Sequence, residues 1–372
     1  MATPTPKAVL ERAHVACSIR FLRQGLPRSA IDNDQARPVL FAAIPDICSH
    51  LISLVIAFYC LATLDLLGGV SDAISENEQA DWRTWLWEQQ KTGPWGTGFR
   101  GSPYTNQPSP SKYDPPFLIM TYAAILSLAI LRDPLDKLDR AGILKYLHLS
   151  QREDGSFKLY PSSEEYDLRM TYCAFAICAM LDDWSAIDLD KAAYEGGYGQ
   201  EPHNEAHGGL SPDLRHRHPR SSFPVIIPRI VPRPSKRRER RQVPTSVCSR
   251  PSSERRRCVG YCITRGAGLQ DVRIKNQMHV IASGAILGHG DLVNTSANAD
   301  FLLKCQFKFG GIRKDPESSP DPYHTYLGLA SLTILSREEM NLSAFETLDA
   351  SLNTTFTTRK WLRDHLWSNT SS

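Results

Sequence analysis

Two heptapeptides, Q-R-E-D-G-S-F from Gln151 to Phe157 and Q-F-K-F-G-G-I from Gln306 to Ile312, share one grammar. In each, a helical stretch ends at Gln, a glycine-bearing turn follows, and a bulky apolar residue stands six positions beyond the Gln. An acidic residue comes next, Asp167 ten positions after Phe157 and Asp321 nine after Ile312. Each unit then enters an apolar helix, through Tyr172-Cys173-Ala174 or Tyr326-Leu327-Gly328. A third copy shows Gly196-Gly197-Tyr198, with His207 nine positions beyond the tyrosine. A looser fourth runs from Gln90 through Gly98-Phe99 to Asp114 and Tyr122. Self-similarity of this kind marks a helical-hairpin repeat.

The second helices, such as F-L-I-M-T-Y-A-A-I-L-S-L-A-I-L from Phe117 to Leu131, are apolar nearly all round, which favours burial between two helical layers. The first helices, such as Asp139 to Gln151, mix charge with Leu and Ile and are expected to face solvent. Hairpins with one buried and one exposed helix stack into an open solenoid or close into a toroid. Strand signals are sparse, so the fold expected is all-α. The longest apolar run, Leu51 to Leu64, is too short to span a membrane, is closed by Asp65, and reads as a buried helix. The N-terminal M-A-T-P-T-P-K lacks the apolar core of a signal peptide. Nine cysteines without regular spacing suggest reduced thiols and a cytosolic or nuclear compartment.

One segment breaks the pattern. Between Leu210 and Ala267 stand fourteen Arg, one Lys and only three acidic residues, with eight prolines and no helical or strand periodicity. That is a net +12, so the rest of the chain, at a total of +3, carries about −9. The basic island is confined to this aberrant segment, so the pI of about 8.3 does not argue for nucleic acid.

Several motifs in order carry a resemblance: S-L-V-I-A-F-Y-C-L-A-T-L-D-L-L-G from Ser53, G-F-R-G-S from Gly98, E-Y-D-L-R-M-T-Y-C-A from Glu165, D-W-S-A-I-D after Leu181, E-A-H-G-G around His207 and P-D-P-Y-H-T-Y-L-G-L ending at Leu329. Together they resemble the β subunits of protein prenyltransferases, nearest the geranylgeranyltransferase type I branch. The likeness covers roughly residues 51–209 and 285–335. It implies an α–α toroid and a Zn²⁺ held by Asp, Cys and His, on which a substrate cysteine becomes the thiolate nucleophile. It implies attack on C1 of an isoprenyl diphosphate whose leaving charge is met by basic and tyrosine side chains. It further implies a prenyltransferase α subunit as partner, geranylgeranyl diphosphate as donor, small GTPases ending in CaaX (often with Leu last) as acceptors, and a cytoplasmic site of action.

Residue by residue, His324 falls on the family's zinc histidine, His207 on its diphosphate-contacting histidine, and Arg169 on an arginine near the carboxylate of the peptide substrate. Without the resemblance, His324 reads as a helix-start residue, His207 as a polar turn residue and Arg169 as a surface ion-pair partner. Cys173 and Cys178 lie on an apolar helix and read as core. Cys258 and Cys262, spaced as C-V-G-Y-C inside the aberrant segment, make a poor metal site. No residue of the written chain is assigned as catalytic.

The resemblance also requires G-R-x-x-K-x-x-D-x-C-Y-S-F-W before the last repeat, with two zinc ligands and three diphosphate contacts. This chain has G-L-Q-D-V-R-I-K-N-Q-M-H-V-I-A-S-G there, from Gly268 to Gly284. Read from the third letter of each codon, with permitted synonymous codons, that stretch yields A-S-G-R-P-D-K-E-S-D-A-C-Y-S-F-W-C. The first two letters of each following codon are fixed by the peptide, and all family positions fit in register. The stretch therefore reads as family sequence translated out of frame. The expected organisation is one discontinuous toroid over 10–209 and 268–366, with 210–267 out of frame or disordered. The alternatives are a farnesyl- or Rab-specific β subunit, or a non-catalytic toroid serving as an interaction subunit.

Overall fold

A computed structural model of the chain describes residues 10–25, 53–101, 115–166, 168–192, 295–335 and 345–367. Besides a short helix at Val70–Ala73, its helices are α1 (Glu11–Gly25), α2 (Ser53–Leu66), α3 (Glu76–Glu88), α4 (Leu118–Ile130), α5 (Arg140–Ser150), α6 (Leu168–Leu181), α7 (Leu189–Ala192), α8 (Thr295–Cys305), α9 (Pro322–Leu335) and α10 (Phe356–Leu362), which runs on into a π-helical turn, Arg363–Trp367. They pair as hairpins. The partly exposed α1, α3, α5 and α8 each precede an apolar helix, α2, α4, α6 and α9 respectively. On α4 every described side chain except Ile119 is buried, as its all-round apolar sequence requires. The apolar helices pack side by side, α6 on α4, α4 on α2, and α2 on α9. The last hairpin thus returns to the first, as a closed toroid requires and an open solenoid does not.

The Gln-to-bulky spacing has a direct cause. Gln151 pairs with Phe157, and Gln306 with Ile312, as single antiparallel bridges across the turn. Six residues are what such a turn needs to fold back, and the apolar partner enters the core fully buried. The looser copy uses a longer ribbon, β1 (Gln90–Gly93) against β2 (Gly96–Phe99), with Gln90 opposite Phe99. Two-residue ribbons β3–β4 (Ile312–Arg313, Pro320–Asp321) and β5–β6 (Leu348–Asp349, Thr354–Thr355) complete the strand content among the described residues.

The same turns join successive repeats. Gly96, Gly155 and Gly310 all adopt positive φ, and an added Cβ would strike the backbone of the next outer helix at its third residue: Gly142 of α5, Lys191 of α7 and Ala13 of α1. Only glycine combines that backbone with so close an approach. The glutamines reinforce the contact. Gln90 Oε1 accepts from the N–H of Asp139 (3.4 Å), Gln151 Oε1 from Asp188 (2.7 Å) and Gln306 Oε1 from Leu10 (2.9 Å). In each case the donor is the residue immediately before the next outer helix. Because Gln306 and Gly310 receive α1 as their next helix, the N-terminal helix closes the circle.

The C-terminal segment caps one end of the ring. Asp65, which closes the apolar run in the sequence, lies inside α2 at 4% exposure. Its carboxylate accepts from Thr355 Oγ1 (2.6 Å), Thr358 Oγ1 (2.7 Å) and Arg132 Nη2 (3.3 Å). Arg132 also donates to Thr358 Oγ1 at 2.9 Å. Trp361 Nε1 bonds the carbonyl of Asp133, Trp367 Nε1 that of Met180, and Arg140 the carbonyls of Leu181 and Leu366. The C-terminal ends of α2, α4 and α6 are all fastened in this way, and at α6 the bonds satisfy carbonyls that a helix leaves unpaired.

Candidate functional site

Among the described residues, the opposite end of the ring is the more open one. Val55 and Tyr59 on α2, Ile119 on α4, Arg169 and Tyr172 on α6, and Tyr323 and His324 on α9 keep accessible surface, all within the first two turns of an inner helix. The N-terminal, partially positive ends of four helices thus meet at one opening.

His324 is fixed by the sequence D-P-Y-H. Pro322 takes the first helical position, where its missing N–H costs nothing. Asp321 then caps the helix, its Oδ1 accepting from the His324 N–H at 2.9 Å. The other oxygen, Oδ2, lies 2.6 Å from His324 Nδ1. An ionised carboxylate only accepts, so Nδ1 carries the hydrogen and the lone pair of a neutral imidazole is on Nε2. This carboxylate–histidine pairing is the usual support of a metal-binding imidazole. Asp321 was visible in the sequence only as a repeat position; the signal for its role was the Asp-x-x-His spacing at a helix start.

Arg169 stands exposed at the start of α6 and acts electrostatically on Tyr59 and Tyr323. Burial pushes both hydroxyls up from the ordinary tyrosine value, and the guanidinium draws them partly back. The structure thus brings Arg169 and His324 to one opening. His207, Cys258, Cys262 and the 268–284 stretch lie outside the described residues, as does the basic segment 210–267.

From the opening a packed aromatic cluster runs inward between the inner helices. Tyr323 meets His324 at 5.0 Å between ring centroids and Tyr59 at 5.1 Å. Tyr59 and Phe58 both approach Tyr326 at 6.0 Å, Phe58 meets Tyr122 at 5.7 Å, and Tyr122 meets Tyr172 at 5.6 Å. At the far end three hydroxyls donate to successive carbonyls of the C-terminal segment. Tyr172 reaches Ser351 at 3.3 Å, Tyr122 reaches Leu352 at 2.9 Å, and Tyr326 reaches Asn353 at 2.7 Å. Tyr172 is 39% exposed, yet desolvation is the largest cause raising its hydroxyl pKa. Such an arrangement suits a long apolar ligand with a polar head at the opening. The tyrosine cluster was not singled out from the sequence, because neighbours around a ring lie tens to hundreds of residues apart along the chain.

Of the donors a tightly held transition metal needs, the described residues supply one at this opening, His324, and no group of three His, Cys, Asp or Glu side chains gathers among them. Buried Cys17, Cys60, Cys173, Cys178 and Cys305 are core thiols that burial holds protonated where a shift is resolved. Among the described residues no helix is long and apolar enough to cross a membrane.

Comparison with known proteins gives the family. The prenyltransferase alpha-alpha toroid domain matches residues 43–211 and 278–354. The β subunit of geranylgeranyl transferase type-1 from Dictyostelium discoideum is 30% identical over 311 residues, covering 74% of this chain and 81% of that one. Its Arabidopsis thaliana counterpart is 30% identical over 262 residues, covering 62% of each, so this chain spans less than two thirds of that relative. Among solved structures, Candida albicans protein geranylgeranyltransferase-I complexed with GGPP superposes with a TM-score of 0.69 at 20% identity, over 96% of this chain and 99% of that one, which speaks to the fold. With more than half of its length matched and its last hairpin returned to the first, the chain belongs to the prenyltransferase alpha-alpha toroid family.

Proposed function

We propose that this chain is the β subunit of a protein geranylgeranyltransferase type I, which transfers a geranylgeranyl group from its diphosphate to the cysteine of CaaX-ended small GTPases in the cytoplasm, in complex with an α subunit. The observation that carries the reading is the aromatic cluster leading from His324 and Arg169 to the fastened end of the ring. An isoprenoid tail buries its length against those rings, and each buried CH₂ adds about 0.8 kcal/mol. The anionic head remains at the opening, where Arg169 and the four helix N-termini supply positive or donating groups, with His207 expected to add a contact. In this reading Arg169 also lies beside the carboxylate of the acceptor peptide.

Zinc is the metal that relatives of this family imply, and His324 Nε2 is the one atom prepared for it. The Asp and Cys partners are expected in 268–284, which reads out of frame. The residues present do not complete the site, so no step is derived through the metal. We infer that the written chain binds no stoichiometric zinc and transfers no prenyl group, and that restoring the frame restores both. In support, the family match omits 212–277, almost the whole of the basic segment.

The experiment is metal analysis and prenylation of a peptide ending in Cys-aliphatic-aliphatic-Leu, on the written and frame-restored chains, each co-expressed with an α subunit. The expected result is about one zinc and activity for the restored chain only. Equal zinc and equal activity in the two overturns the out-of-frame reading, and zinc in neither overturns the enzyme assignment. A second reading, a non-catalytic toroid used for interaction, draws on His324 standing without metal-ligating company among the described residues.

A further inference from the structure

Of the three joints among the described residues, one is unlike the other two. At the joints of Gly96 and Gly155, the fourth residue of the incoming outer helix is apolar, Ile143 or Ala192. At the joint where α1 meets the last repeat, that position is His14, at 0% exposure. Its Nδ1 accepts from the backbone N–H of Gly311 at 2.9 Å, and its Nε2 lies 2.9 Å from Gln306 Oε1. The first contact requires a lone pair on Nδ1, so the hydrogen is on Nε2 and donates to Gln306. Gln306 Oε1 also accepts from the N–H of Leu10, so one histidine and one glutamine tie the start of α1 to the turn after α8.

We propose that the His14–Gln306–Gly311 joint is a proton-sensitive latch that holds the first and last repeats of the ring together. A second proton on the imidazole can only go to Nδ1. There it faces the Gly311 N–H, so a donor meets a donor in a site closed to water, and the hydrogen bond becomes a repulsion. Burial holds the imidazole below its ordinary pKa of 6.5, partly offset by Gln306. The unfolded chain therefore takes up the proton first. The latch is fully effective above 6.5 and weakens as pH falls from there through the lowered folded value.

Among the described residues no carboxylate, Glu11 on the same helix included, pairs with the His14 imidazole. On α1, Cys17 is held protonated by burial and accepts from Arg20. On α2, Cys60 is likewise protonated. In the turn after α8, Lys308 lies over Phe309, Arg313 lies over Phe307, and Asp315 is bonded by Ser318. On α9, Asp321 is engaged by His324. None of these forms an ion pair with His14 among the described residues.

The latch borders the seam between α2 and α9. Ile312, one residue beyond Gly311, donates its N–H to Thr325 Oγ1 at 2.9 Å, next to His324. Tyr59 and Tyr323 face each other across the same seam. Opening the latch thus loosens one wall of the candidate site.

The test is hydrogen exchange of the full chain at pH 7.5 and 5.5, read on peptides covering 10–17 and 306–313 and corrected for intrinsic exchange rates. Peptides covering 151–157 and 188–192, from an interior joint, serve as the control. The wild-type closing joint is expected to lose about tenfold in protection at the lower pH, the effect of one pKa unit, while the interior joint holds. His14→Asn keeps an acceptor for Gly311 but cannot titrate, and should remove the difference; His14→Gln is the second variant if Asn does not fold. Equal loss at both joints in the wild-type chain overturns the latch without any variant. So does an unchanged pH response in either variant.

Discussion

The two ends of the inner ring are built on opposite plans. At the C-terminal ends of the inner helices, Asp65, Arg132, Arg140, Trp361 and Trp367 bond across segments more than forty residues apart in sequence. At the N-terminal ends, Arg169, Tyr323 and His324 keep accessible surface, and the short bond from Asp321 to His324 aims a side chain rather than fastening a segment. The contrast shows a division of labour. Stability is concentrated where the ring is shut, which leaves the open end free to carry groups chosen for binding.

That division can be broken at the shut end. Asp65→Ala leaves Arg132 and two threonine hydroxyls without their shared acceptor, and should cost about 3–5 kcal/mol, the usual penalty for removing one partner of a buried ionic cluster. Denaturant titration reads it, and a loss under about 1 kcal/mol would mean that the C-terminal segment is not a structural clasp. Next comes a joint. Gly155→Ala puts a methyl against the Lys191 carbonyl and forces Ala into positive φ, with an expected cost of roughly 2–4 kcal/mol by the same measurement.

The open end should respond differently. Asp321→Asn keeps a side-chain oxygen for the helix cap but no longer holds the proton on Nδ1 of His324. In the frame-restored chain it should lower zinc affinity about 10–100-fold in a competition titration, while stability falls by less than about 1 kcal/mol. A thermal midpoint that drops as far as that of Asp65→Ala would show the Asp321–His324 pair to be structural. Smallest of all, Arg169→Ala should change stability by less than about 0.5 kcal/mol, so any loss of prenylation by that variant belongs to binding.

Much of the ring was legible in the sequence. The six-residue step from Gln to a bulky residue encodes a turn that folds back on itself, and the apolar helices announced their burial. The glycines were readable as turns but not as contact points, since what they touch belongs to the next repeat. Asp65 looked like the boundary of an apolar run because its acceptors' partners, Thr355 and Thr358, lie 290 and 293 residues away. Local pattern shows that a charge interrupts a helix and says nothing of what neutralises it across a ring. For the same reason Arg169 and His324 were found singly by motif, whereas the tyrosines between them carried no local signal.

The cyclic order of the joints, with α1 received by the last repeat as α5 and α7 are received by theirs, sets an arithmetic condition. Rotations between neighbouring hairpins must add up to one full turn. An open array tolerates an extra unit at the cost of a longer superhelix, since each unit touches only its neighbours. Here an inserted or deleted hairpin would change the angle at every remaining joint, including those where a glycine leaves no slack. Repeat number in this architecture is therefore a quantised property of the whole molecule, and change in such chains is confined to what hangs from the ring.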